Sequence, residues 1–101
     1  MTNNKIYEFI GKITSKEKEK VYNKKSPYYG NIYYRLAVEL ENNSELNEIL
    51  VFQNGKVWKD IKEANYIGKR YLFYCSSLVS NYRIVSYQLV DWKKLASYEE
   101  K

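Results

Sequence analysis

The stretch that most constrains this chain is residues 49–76, ILVFQNGKVWKDIKEANYIGKRYLFYCS, which reads as a strand, one short helix and a second strand. Ile49 and Val51 on one parity and Leu50 and Phe52 on the other mark the first strand, and Asn54-Gly55 punctuates it. From there the spacing changes. Val57, Trp58, Ile61, Ala64 and Ile67 recur every three or four residues, leaving Lys59, Lys62 and Glu63 outward on a helix that begins near Lys56 or Val57. Gly68 is placed to be the C′ residue, with Lys69 and Arg70 suited to the negative end of the helix dipole. Trp58 is expected in the core, plugging the end of the sheet.

β-like sequence lies on both sides of this unit. Residues 5–14, KIYEFIGKIT, carry Tyr7, Phe9 and Ile13 on one parity and Ile6 and Ile10 on the other. That pattern predicts a strand covered on both sides, in a closed barrel or at a subunit interface, with Gly11 marking a bulge or bend. Residues 32–40, IYYRLAVEL, alternate most clearly: Ile32, Tyr34, Leu36, Val38 and Leu40 face the core, and Tyr33 and Arg35 face outward. Two more strands follow at 71–78 and 83–92, joined by a short polar turn at Ser80-Asn81 with Tyr82 and Arg83 at its exit. The count is five strands, with one helix between the third and fourth. At 101 residues the chain forms one domain, 1–92, followed by a short charged tail, 93–101.

Several function classes are disfavoured at once. The chain has no histidine, which removes His-based acyl-transfer triads, His-containing zinc sites and most general-base chemistry near neutral pH. Glu39, Glu41, Glu45, Glu48, Asp60 and Glu63 show no spacing that demands convergent carboxylates. Neither an enzyme nor a cofactor is expected. Cys75 is the single cysteine, lies in an apolar run, and is read as a small core residue in a reducing compartment. No run approaches the roughly 18 apolar residues needed to span a bilayer, so no membrane partner is expected. The start, MTNNKIYEFIGK, lacks secretory or transit character. The expected location is the cytoplasm, or a plastid or other organelle stroma if the chain is organelle-encoded.

Charge and tyrosine carry the positive signal. The net charge is +5, and 12 residues are tyrosine. Residues 1–35 carry eight Lys/Arg against three Glu, residues 36–66 three Lys against six acids, and residues 67–101 six Lys/Arg against three acids. The excess is concentrated in the first third. There, residues 15–31, SKEKEKVYNKKSPYYGN, interleave lysines with tyrosines around the only proline. Lys16 to Lys20 can extend the first strand, placing Lys24, Lys25, Tyr28 and Tyr29 on a mobile loop. Lysines for phosphates and tyrosines for base faces are what a single-strand binding surface needs. The loop leads into the outward Tyr33–Arg35 pair. The candidate surface is therefore Lys24, Lys25, Tyr28, Tyr29, Tyr33, Arg35 and Phe52, with Lys12, Lys20, Tyr82 and Arg83 at its margins.

The strand–helix order is that of an all-β, five-stranded OB-fold barrel. Four local stretches resemble the bacterial and plastid single-stranded-DNA-binding proteins. Phe9-Ile10-Gly11-Lys12-Ile13-Thr14 is similar to that family's opening strand, and Tyr34-Arg35-Leu36-Ala37-Val38 to its second. Gly55-Lys56-Val57 and Tyr66-Ile67-Gly68-Lys69 resemble the positions that flank its helix. The resemblance spans residues 5–92 and implies binding of single-stranded DNA with little sequence preference, as a homo-oligomer, tetramer or dimer, in DNA replication or repair.

The chain departs from the pattern in three places. Asn54 stands where the family has an aromatic residue, with Phe52 as a substitute on the same face. The hairpin between the fourth and fifth strands is cut down to residues 79–83. The acidic, Pro-Phe-ending tail is absent. The alternatives are RNA as the ligand, or a protein–protein or primosome-like accessory OB module.

Overall fold

A computed structural model describes residues 5–53, 55–63 and 65–96. The alternation of IYYRLAVEL becomes β2 (Ile32–Leu40), with Tyr34, Leu36 and Val38 buried and Tyr33 and Arg35 half-buried on the opposite face. It is preceded by β1 (Tyr7–Lys20) and followed by β3 (Glu48–Phe52), α1 (Trp58–Glu63), β4 (Arg70–Ser80) and β5 (Arg83–Lys94). The five strands form one sheet that closes on itself in the order β1-β2-β3-β5-β4. All neighbours are antiparallel except β3 and β5, which run parallel with Leu50 opposite Gln88.

Closure depends on β1 serving two partners. Its first half pairs with β4, from Tyr7 opposite Cys75 to Lys12 opposite Arg70. Its second half pairs with β2, from Gly11 opposite Leu40 to Lys20 opposite Ile32. Gly11 and Lys12 lie in both ladders. A Cβ added at Gly11 would collide with the backbone carbonyl oxygen of Glu39, so no other residue fits between the two neighbours without moving backbone. The bulge expected at Gly11 lies instead between Ile13 and Ser15. Gly11 meets a close approach, not a change of register.

Within the single chain, β1 is covered fully on one side only. Phe9 and Ile13 are buried, but Ile10 is only half-buried and Ile6 is 47% exposed. The charged continuation through Lys20 does extend the strand, as the alternation allowed.

Phe9, Ile13, Tyr34, Leu36, Val38, Ile49, Val51, Phe73, Cys75 and Leu89 form the core inside the ring, and Val57, Ile61 and Tyr66 join the same cluster. The helix is shorter than its spacing suggested, and Ile67 is exposed. Its last described turn is held from a distance: the Ile61 carbonyl accepts from Tyr66 Oη at 2.8 Å and from Lys16 Nζ at 3.2 Å. The cation expected of Lys69 and Arg70 thus comes from Lys16, which also lies 4.7 Å from the Tyr34 ring centre. Gly68 does not follow the helix as its C′ residue. It sits at φ +81° in the turn closed by Lys69 N–H to the Tyr66 carbonyl, where the third position requires positive φ.

Two tryptophans bracket the helix. Trp58 stacks on Tyr34 at 4.7 Å, packed against the core but not enclosed in it, and Trp92 stacks on Tyr71 at 4.3 Å and meets Tyr66 edge-on. The reading of Ala64 lies outside the described residues, as does that of Asn54. Part of the proposed tail belongs to the sheet, since β5 continues to Lys94 and Leu95 N–H reaches the Arg70 carbonyl at 2.9 Å. The remainder of the tail, from residue 97, lies outside the described residues.

Two measurements test this packing. Gly11→Ala is expected to destabilise the fold by about 2–3 kcal/mol in denaturant titration, because the collision is with backbone. The second is alkaline stability. Burial pushes Cys75 from 9.0 up to about 12, and burial with the nearby Tyr34 and Tyr71 pushes Tyr66 from 10.0 up to about 12. Both are acids that stay neutral in the fold while the unfolded chain ionises. Their contribution is complete below about pH 9 and is lost as pH rises towards 12, so the unfolding midpoint should fall across that window. Tyr66→Phe should flatten the upper part of the fall.

Candidate functional site

The β2–β3 register places Tyr33 directly opposite Phe52, and their rings lie 5.6 Å apart on the outward face. The loop at 21–31 folds back so that Tyr28 stands 6.0 Å from the same Phe52 ring. Three aromatic residues from a loop and two strands thus share one surface, with Phe52 at its centre. Tyr28 is 55% exposed and Tyr29, beside it, 53%.

The loop is built from consecutive turns. Val21 and Asn31 close its base through Val21 N–H to the Asn31 carbonyl at 2.9 Å, and Gly30 N–H returns to the Val21 carbonyl. Asn23 Oδ1 accepts from Lys25 N–H, Ser26 Oγ accepts from Tyr28 N–H, and Tyr29 N–H reaches the Ser26 carbonyl, with Pro27 at the turn's second position. Gly30 supplies a φ of +87°. This hydrogen bonding gives the loop a defined path in which Lys24 and Lys25 are exposed beside the tyrosines. Tyr22, 75% exposed in the same loop, belongs with them. Its place in the lysine–tyrosine interleaving of residues 15–31 is the sequence signal for it, although the candidate surface does not include it.

Arg35 is on the outward face as its parity requires, but it is not free. Its Nη2 lies 2.8 Å from Glu19 Oε2 and its Nε 3.7 Å from Glu48 Oε1. Lys12 is likewise 3.5 Å from Glu39. The register places Glu17 opposite Arg35 and Glu19 opposite Tyr33, so the outward face of β1–β2–β3 collects acids, and its cations are spent on them. Next to this face, the exposed lysines without an ion pair to a described residue are Lys24 and Lys25 of the loop. Lys20 stands opposite Ile32 on the parity of Tyr34, and so projects on the reverse face of the hairpin from Tyr33.

Tyr82 and Arg83 are exposed, but the structure does not bring them to this cluster. β5 runs parallel to β3 with Gln88 opposite Leu50, so the start of β5 lies towards the Glu48 end of β3, away from Phe52. Tyr82 is six residues before Gln88, about 20 Å along the strand at roughly 3.3 Å per residue. The turn is also one residue later than expected. Asn81 and Tyr82 occupy its two positions, with φ of 54° and 63°, and the pairing continues to Ser80 opposite Arg83. The loop is short, but β4 and β5 form a long ribbon with Val79, Ile84 and Val85 exposed near its tip.

Chemically, the Tyr28–Phe52–Tyr33 cluster offers ring faces for stacking, and Lys24 and Lys25 offer charge for anions. The Cys75 thiol is buried, with its pKa pushed up to about 12, which removes it as a nucleophile near neutral pH. Among the described residues, no three His, Cys, Asp or Glu side chains are grouped to hold a metal ion. No helix among them is long and apolar enough to cross a membrane. No protein-family model matches the chain, and neither a curated protein nor a solved structure matches it significantly.

The ribbon's turn carries its own test. Two adjacent positive-φ residues are the signature of a type I′ turn, whose second position favours glycine over an aromatic residue. Tyr82→Gly is expected to raise stability by about 1 kcal/mol, read as a higher denaturation midpoint at unchanged slope.

Proposed function

We propose that the chain is an OB-type barrel that binds single-stranded DNA with little sequence preference, without a catalytic step and as a homo-oligomer, in replication or repair. The ring order β1-β2-β3-β5-β4, with the helix between β3 and β4, supports the OB reading. In such barrels oligonucleotides lie across the face of strands 2 and 3 and against the 1–2 loop. The observation that carries the functional reading is that half-buried Tyr33 of β2 and Phe52 of β3 and exposed Tyr28 of the β1–β2 loop meet in one aromatic cluster at that place. Bases stack on these rings and on Tyr29, while Lys24 and Lys25 take the phosphates. Arg35 orders the face through Glu19 and Glu48 and reaches a phosphate only by exchanging those carboxylates. RNA shares this chemistry, and paired titrations with both sugars separate the two.

A second reading has its own observation. Val79, Ile84 and Val85 are 59%, 46% and 63% exposed on the β4–β5 ribbon, beside a groove shared with Leu46 and Tyr87. That surface suits a protein–protein or accessory OB module.

Titration of oligo-dT against intrinsic fluorescence, with mass measurement, decides between them. Phe52→Ala or Tyr33→Ala should weaken binding by about 1–3 kcal/mol, roughly 5- to 140-fold, with assembly mass unchanged. Each phosphate contact should add about −0.7 to the slope of log K against log salt. Absence of binding at low salt, or a flat salt slope, overturns the proposal. A lower assembly mass in Val79→Ser/Val85→Ser, without binding of oligo-dT, favours the second reading.

A further inference from the structure

The run Lys16-Glu17-Lys18-Glu19-Lys20 lies wholly within β1, so the pleat sorts its charges by sign. Glu17 and Glu19 fall opposite Arg35 and Tyr33 on the outward face, and Lys16, Lys18 and Lys20 fall opposite Leu36, Tyr34 and Ile32 on the reverse face. Lys16 is committed to the Ile61 carbonyl and the Tyr34 ring. Lys18 and Lys20 are exposed and have no ion pair with any described residue.

The helix brings more charge to the same side. At about 100° per residue, with Val57 and Ile61 inward, Trp58 and Lys62 share one flank, Asp60 takes the other and Lys59 stands at the crest. Trp58 stacks on Tyr34, the residue opposite Lys18, and Asp60 lies 3.5 Å from Trp92 Nε1 on the far side. The flank turned to the hairpin is therefore the basic one. Lys59 and Lys62 are also exposed and without an ion pair to a described residue.

We infer that this reverse face, made by Lys18 and Lys20 of β1 with Lys59 and Lys62 of α1 beside half-buried Trp58, is a second contact surface for the phosphate backbone of the same single strand. The inference rests on the function proposed above and extends it: a strand stacked on Tyr28, Phe52 and Tyr33 continues past Lys24 and Lys25 and down the other side of the hairpin. The hairpin permits this path because residues 16–20 of β1 form a free edge, paired to β2 alone. A charged edge also discourages strand pairing between molecules, and that role by itself would leave nucleic-acid binding indifferent to these lysines.

The test compares dT6, short enough to fill only the aromatic cluster, with dT30, using wild type and the triple variant Lys18→Gln/Lys59→Gln/Lys62→Gln. All three positions are exposed and outside the aromatic cluster. With dT30 the variant should bind more weakly and its log K–log salt slope should flatten by about 2, three contacts at about 0.7 each. With dT6 it should match wild type. Trp58 fluorescence should respond to dT30 and not to dT6, and the difference should vanish in Trp58→Phe. If the triple variant binds dT30 with unchanged affinity and slope while Phe52→Ala weakens both oligonucleotides, the second surface is overturned and the aromatic interface stands. If wild type binds neither oligonucleotide at low salt, the aromatic reading and its extension fail together.

Discussion

The whole architecture depends on one strand having two neighbours. β1 leaves the β4 ladder and enters the β2 ladder while still paired to both at Gly11 and Lys12, and that overlap allows five strands to close into a ring. The geometry is tight enough that the inward position at residue 11 has no space for a side chain. Two residues further on, the shift between Ile13 and Ser15 resets the pleat. Everything beyond it, including which of the alternating Lys and Glu residues faces which way, follows from that one irregularity. A chain paired in unbroken register would present lysines where the glutamates now stand.

The helix seals the core by side-chain contacts more than by its own stability. Six residues are too few to be helical in isolation. Val57 and Ile61 are anchored in the core, Tyr66 and Lys16 satisfy the carbonyl of Ile61, and stacked Trp58–Tyr34 and Trp92–Tyr71 pairs flank it. The same contacts orient the helix so that Lys62 lies on the Trp58 flank, beside Tyr34 of the β1–β2 hairpin, and Lys59 at the crest. Packing and surface charge are set together.

The candidate interface was partly legible in the chain. Tyr28, Tyr29, Lys24 and Lys25 stand out by composition, and Tyr33 by parity. That Phe52 would sit between Tyr28 and Tyr33 was not readable, because it requires the β2–β3 register and the return of an eleven-residue loop, held by turns among Asn23, Ser26 and Gly30. Arg35 shows the opposite failure. Its outward parity was legible, but its neutralisation by Glu19 and Glu48 was not, since one partner comes from each flanking strand. Tyr82 and Arg83 resembled site residues in type and exposure, and the parallel β3–β5 pairing carries them to the far end.

By itself the sequence determined what is local. Alternation in residues 32–40 set which side chains face the core, three-to-four spacing from Val57 set the existence of a helix, and Asn81 marked a tight turn. These follow from the 2.0 and 3.6 residue periods, which every peptide shares. Only the tertiary structure decided the relations between elements: the close approach at Gly11, the bulge after Ile13, the capping of α1 by Lys16, and the meeting of Tyr28, Phe52 and Tyr33. Each depends on register, and register is chosen by how distant side chains fill one shared core, which no short window of the chain contains.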